Sequence, residues 1–169
     1  MTETTDRTMK KNAINGLVDT FRHSLDPKKR LTIPSEWRDA LGHPDYVYVM
    51  PSPTDDCLEL VPVEVMDHTL AQYEHSDLFD DEADSDAEAI AEHMQMLKVD
   101  SAGRIRIGDD LLAHAGITSG VTLIGAIRKA KLWAADRKPE KKGKKLDLAA
   151  FRAVVAKRKL QAQKGRGEA

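Results

Sequence analysis

The sequence predicts an α+β fold that is mainly β, made of two tandem copies of one small β-hairpin-and-helix unit. Three observations carry that expectation. Sliding the chain by 74 residues brings Leu25–Pro34 onto Val99–Gly108, with Asp26 on Asp100, Arg30 on Arg104, Leu31 on Ile105 and Ile33 on Ile107. The register runs on without a gap: Trp37 falls on Leu111, Gly42 on Gly116, Val47 on Val121 and Val49 on Leu123. Behind both matched segments, short alternating apolar runs are separated by turn residues, as half-buried strands require. One unit of about 40 residues is too small to bury its own apolar faces, so the two copies are expected to share a core.

The elements follow in order. Thr20 to Leu25 is β-prone, and Asp26-Pro27-Lys28-Lys29 is a turn, with Asp capping amides and Pro presetting φ. Arg30 to Ile33 alternates as a strand. Pro34-Ser35 starts a short helix whose Trp37 and Leu41 share a face, and Gly42 stops it. Tyr46 to Met50 and Cys57 to Val61 are strands about a turn at Ser52 to Asp56. A helix from Pro62 to Tyr73 carries the stripe Val65, Met66, Leu70 and Tyr73. In the acidic block that follows, the first half reads as loop and Ala83 to Met96 as a helix with Ala87, Ile90, Ala91 and Met94 inward. In the second copy, Met96 to Val99 and Arg104 to Ile107 are strands about a turn. Asp109 is an N-cap candidate for a helix to Ala115, and Val121 to Ala126 with Lys131 to Ala134 form the closing hairpin. Lys138 to Lys145 reads as a solvated linker, and Leu146 to Gln163 as a helix with a narrow face of Leu148, Phe151, Val155 and Leu160. The expected division is a flexible N-terminus (1–17), a first repeat (18–64), a helical connector with the acidic block (65–95), a second repeat (96–137) and a basic linker with a C-terminal helix (138–169).

The formal net charge of −2 hides a segregation. Asp77 to Glu92 holds eight acids and no Lys or Arg, whereas Arg128 to Ala169 holds fifteen Lys and Arg against four acids. Such asymmetry points to electrostatic partners more than the sum does. The basic tail fits sequence-independent DNA affinity, a solubilising role, or pairing with the acidic block of a neighbouring chain; charge alone leaves these open. One cysteine, Cys57 in an apolar run, excludes an intrachain disulfide and reads as a small core residue. No stretch approaches about 20 apolar residues and residues 1–11 are polar, so the expectation is a soluble cytoplasmic protein with no membrane partner.

The chemistry-bearing motif is the duplicated Asp-x-x-x-Arg. Its Asp and Arg flank a three-residue turn, so their side chains can meet across its mouth. A guanidinium held that way loses less rotamer freedom on reading a base edge, and bidentate Arg to guanine is the commonest specific DNA contact. Asp26, Arg30, Asp100 and Arg104 are therefore the candidate DNA-binding pairs, with Lys28, Lys29 and Arg106 beside them as phosphate contacts. A single such pair would read as a surface ion pair pinning a hairpin. Two, at one position of a matched repeat, favour a paired recognition surface.

Enzyme chemistry finds no support in the sequence. The six histidines, His23, His43, His68, His75, His93 and His114, have no metal-ligand spacing with another His or Cys. There is no P-loop and no G-x-S-x-G. No catalytic residue, metal, cofactor or small-molecule substrate is expected.

The run from Phe21 to Arg38, together with Asp56-Cys57-Leu58-Glu59-Leu60 and Val99-Asp100-Ser101-Ala102-Gly103-Arg104-Ile105, resembles the landmarks of the MraZ family, within the SpoVT/AbrB-like superfamily, over about Val18 to Trp133. The resemblance implies two tandem AbrB-like swapped-hairpin units forming a pseudo-two-fold β-barrel with flanking helices. It implies a nucleoid-associated transcriptional regulator of the division and cell-wall gene cluster. Such a protein would bind double-stranded DNA at tandem short promoter boxes as a homo-oligomeric ring. AbrB-like domains also serve as oligomerisation or antitoxin-like partner-binding modules, which is the alternative. Departures from the family pattern are Lys28-Lys29-Arg30 where Lys-Gly-Arg is usual, Ile107-Gly108 where Ile-Pro is common, and an acidic rather than Arg-rich connector.

Overall fold

The computed structural model describes residues 16–74, 77–137 and 148–167. The expected linker Lys138 to Lys145 and most of the expected N-terminal segment lie outside the described residues. The described residues up to Arg137 form one compact unit and those from Leu148 another.

The first unit is α+β and mainly antiparallel β. Its elements are β1 (Thr20–Ser24), β2 (Arg30–Thr32), α1 (Ser35–Ala40), β3 (Tyr46–Pro51), β4 (Leu58–Pro62), α2 (Val63–Glu74), α3 (Asp81–Ala91), β5 (Gln95–Lys98), β6 (Arg104–Arg106), α4 (Asp109–Ala115), β7 (Gly120–Gly125) and β8 (Ala130–Ala134). Six strands form one sheet in the order β1-β7-β8-β4-β3-β5, and β2 pairs with β6 as a separate ribbon. β1 of the first copy pairs with β7 of the second, and β5 of the second with β3 of the first. The order therefore reads the same from either end when the copies are exchanged.

The expected closed barrel is not formed. β1 and β5 are the two edges of an open sheet, and the β2–β6 ribbon joins neither as a continuous ladder. The reason is local. At the mouth of the first turn the Asp26 amide donates to the Arg30 carbonyl at 3.0 Å, and beyond it the His23 imidazole, rather than a strand amide, meets the Thr32 carbonyl at 2.7 Å. Strands of three residues leave too few groups to seal both edges.

The ribbon closes over the core. Leu31 lies opposite Ile105, and both side chains are buried. They join Ile33, Trp37, Val47, Val49, Leu58, Leu60, Ile107, Leu111, Val121, Leu123 and Leu132 in one cluster drawn from both copies. Trp37 satisfies its indole N–H on the Val18 carbonyl at 2.7 Å and meets Phe21 edge-on at 5.3 Å between ring centroids. Buried Glu59 on β4 is compensated by Lys129 at 2.8 Å and the Ser52 hydroxyl at 3.1 Å.

Three local expectations are corrected. Pro62 ends β4 instead of opening a helix, and of the stripe on α2 Met66 alone is buried, with Leu70 exposed. The acidic helix runs Asp81–Ala91, not Ala83 to Met96, and buries nothing. Asp80 caps it by accepting from the Ala83 amide at 3.0 Å, and pairing with β3 draws Gln95 and Met96 into β5. Asp109 is the first residue of α4 rather than its N-cap. Gly108 holds the cap position, and the Asp109 carboxylate meets Lys29 and Arg106.

The second unit is α5 (Leu148–Gly167), a single helix with no buried residue. No helix among the described residues is long and apolar enough to cross a membrane.

Candidate nucleic-acid interface

The two Asp-x-x-x-Arg turns fold alike, atom for atom. In the first, Asp26 Oδ1 accepts the amides of Lys28 at 2.9 Å and Arg30 at 2.8 Å, and Oδ2 accepts Arg30 Nε at 2.6 Å. In the second, Asp100 Oδ1 accepts the amides of Ala102 at 3.0 Å and Arg104 at 2.9 Å, and Oδ2 accepts Arg104 Nε at 2.8 Å. One carboxylate thus caps its turn and clamps its arginine at once. These donors hold both carboxyls below the usual carboxylate range, the backbone bond to the arginine being the largest cause in each.

The third turn residue needs a left-handed backbone. Gly103 supplies it at φ +77°, and Lys29 adopts it at φ +58° despite its Cβ. The missing glycine therefore leaves the turn geometry intact. The two tips differ in cover: Lys29 is exposed, whereas Gly103 is buried beneath the Arg38 side chain.

The antiparallel register sets where the arginines stand. Arg30 lies opposite Arg106, Leu31 opposite Ile105 and Thr32 opposite Arg104. Side chains alternate across a strand, so with Leu31 and Ile105 in the core, Arg30, Arg106, Thr32 and Arg104 share the outward face. The Arg30 and Arg104 side chains are 28% and 33% exposed, neither walled off nor loose. Arg106 donates to Asp109 at 2.9 Å, and Lys29 reaches the same carboxylate oxygen at 3.3 Å. The bond from Arg106, then Lys29, lowers the Asp109 pKa. Lys28 is exposed.

All seven sequence-named residues thus lie on this ribbon or its two turns. Sequence reading missed Asp109 as the carboxylate shared by Arg106 and Lys29, and Arg38, which belongs to α1 but rests on the second turn. The only sequence signal for Arg38 was the glycine at 103, whose open space shows its use once α1 is placed.

Other chemistry is not assembled. Among the described residues no group of three or more His, Cys, Asp or Glu could hold a metal ion. Cys57 is buried, and that burial pushes its thiol up to about 11, which suppresses the reactive thiolate.

These features define an internally duplicated α+β protein whose two halves jointly display clamped arginines on one two-stranded ribbon. Comparison with known proteins names the family. No family model matches the chain. It is 30% identical over 133 residues to the transcriptional regulator MraZ of Caulobacter vibrioides (strain NA1000 / CB15N), covering 78% of this chain and 85% of that protein. It is 33% identical over 138 residues to the transcriptional regulator MraZ of Chlorobium luteolum, covering 74% and 88%, and 32% identical over 133 residues to that of Methylocella silvestris, covering 73% and 77%. The chain belongs to the MraZ family.

Proposed function

We propose that this protein is a sequence-specific, DNA-binding transcriptional regulator that reads promoter boxes with the β2–β6 ribbon. One observation carries the reading: two arginines, each clamped through Nε by its own aspartate, project from the outward face of a single ribbon. Holding Nε leaves the terminal nitrogens to meet guanine O6 and N7 as a fork. A two-stranded ribbon is one of the shapes the major groove admits. The face is poorly arranged for stability alone, since Arg30 and Arg106 are like charges directly opposite each other. Lys28, Lys29 and Arg106 supply phosphate contacts that fix register without reading sequence.

The exchange of strands between copies supports a pseudo-two-fold unit of swapped hairpins, with repeats at 18–64 and 96–137. Several such chains in a homo-oligomeric ring would engage tandem boxes, gaining avidity from individually weak contacts. That function places the protein in the cytoplasm, at the nucleoid.

The test is a gel shift of wild type, Arg30→Ala and Arg104→Ala on tandem-box and scrambled duplexes across a salt series. Each variant is expected to lose about 5- to 150-fold of discrimination, since a bidentate pair contributes about 1–3 kcal/mol. Retention of wild-type discrimination by both variants refutes the proposal.

A second reading, a protein-interaction module, is favoured by one feature. α5 exposes Leu148, Phe151, Val154 and Leu160 and has no acid along its length. Deleting residues 139–169 would leave box discrimination intact under the first reading and abolish function under the second.

A further inference from the structure

The second turn carries a cation that the first turn lacks. Gly103 is buried because the Arg38 side chain lies against it, with Nη1, Cδ and Cζ all where a Cβ would stand. In the 74-residue register Lys29 of the first copy stands where Gly103 does in the second, and buried Leu112 of the second copy stands where Arg38 does in the first. A cation therefore stands at the third turn position at both ends, supplied by the turn's own Lys29 at one and by Arg38 of α1 at the other.

Arg38 is not placed as a structural arginine would be. Its Nε is buried and meets no acceptor among the described residues. Buried donors are nearly always paired, so an unpaired one marks a guanidinium that no hydrogen bond through Nε locks in place. Arg38 lines a cavity of about 280 Å³ with His43, Asp45, Asp100 and Ser101. Asp100 is already committed, both oxygens to its own turn. His43 Nε2 lies 2.9 Å from Asp39. That leaves Arg38 and the Ser101 hydroxyl beside the turn that clamps Arg104, with Asp45 in the same lining. A multiply charged free anion is disfavoured there, whereas a singly charged phosphodiester fits.

We infer that Arg38 grips a DNA backbone phosphate beside the base step read by Arg104, so that the two ends of the ribbon hold DNA with different residues. The inference rests on the DNA-binding reading above. Arg38 sets register and affinity at this end, and Arg104 sets sequence.

Affinity for box DNA is measured against salt for wild type, Arg38→Gln, Arg38→Lys and Arg104→Ala. Losing one phosphate contact lowers the slope of log K against log salt by about 0.9. Arg38→Gln is expected to show that loss with box preference unchanged, and Arg38→Lys to restore most of it. Wild-type slope and affinity in Arg38→Gln, alongside lost discrimination in Arg104→Ala, overturns the Arg38 assignment and leaves the DNA reading standing. No change in either variant removes both. Should Arg38→Gln fail to fold, the Arg38 Nε–H resonance of wild type is followed on adding duplex. A shift that saturates with DNA supports the assignment and a stationary resonance overturns it. Inorganic phosphate is the control: saturation of that resonance by phosphate alone, with no competition against DNA, marks a free-anion site and also overturns it.

Discussion

Truncating the apolar pair that anchors the ribbon tests how the arginines are held. Leu31 and Ile105 face each other across β2 and β6, 0% and 1% exposed, and they tie both strands to the shared core. Leu31→Ala removes three carbon groups. At about 0.8 kcal/mol each that is about 2.4 kcal/mol of transfer free energy, and the unfilled cavity raises the expected cost to about 3–4 kcal/mol. Ile105→Ala is expected to cost a similar amount. Because the two side chains share one space, the double variant should cost less than the sum of the singles by at least about 0.5 kcal/mol. Thr32→Ala on the outward face is the control and should stay within about 0.5 kcal/mol. Urea unfolding followed by far-UV circular dichroism, with constant m, measures all four. Gel shifts well below the transition should show weaker box binding in the core variants, since Arg30 and Arg104 flank the truncated pair. A cost below about 1 kcal/mol for either single variant, or strict additivity, would sink the claim that this pair holds the reading face.

Three further outcomes follow from the geometry. Gly103→Ala should destabilise more than Gly42→Ala: both pay about 1–2 kcal/mol for a left-handed backbone, but a Cβ at 103 also runs into Arg38, whereas nothing lies within 4 Å at 42. Thermal melts of the two variants compare them directly. In the folded state the Cys57 thiol keeps its proton up to about 11, while the unfolded thiol releases it near 9.0. Stability should therefore fall as pH rises between those values, by up to about 3 kcal/mol, and Cys57→Ala should remove that share when unfolding is measured at pH 8 and again near 11. At the acid end, Asp26, Asp100 and Asp109 have depressed folded pKa values, so their contribution is present above the ordinary carboxylate pKa and is lost as pH falls through the folded values. Asp26→Asn with Asp100→Asn should flatten the acid limb of the stability profile, and an unchanged limb would count against the clamps.

Much of this protein was legible in its residues because the deciding interactions are local. Asp26 and Asp100 cap turns three residues long, alternation in Arg30-Leu31-Thr32 and Arg104-Ile105-Arg106 assigns one face to the core, and the 74-residue register pairs the copies. The acidic helix was misjudged because its stripe of Ala87, Ile90 and Ala91 satisfies a helical period, yet none of its residues is buried among the described residues. Period predicts a face; it does not supply a partner. Tertiary structure alone decided that β1 pairs with β7 and β5 with β3, since backbone amides and carbonyls are the same in every strand and only the packed core selects among them. It also decided that the Asp109 carboxylate meets Arg106 and Lys29, and that Arg38 comes to rest on Gly103, 65 residues further along the chain. Contacts between residues so far apart in sequence leave no periodic trace, because they depend on where whole elements settle once their apolar faces are buried.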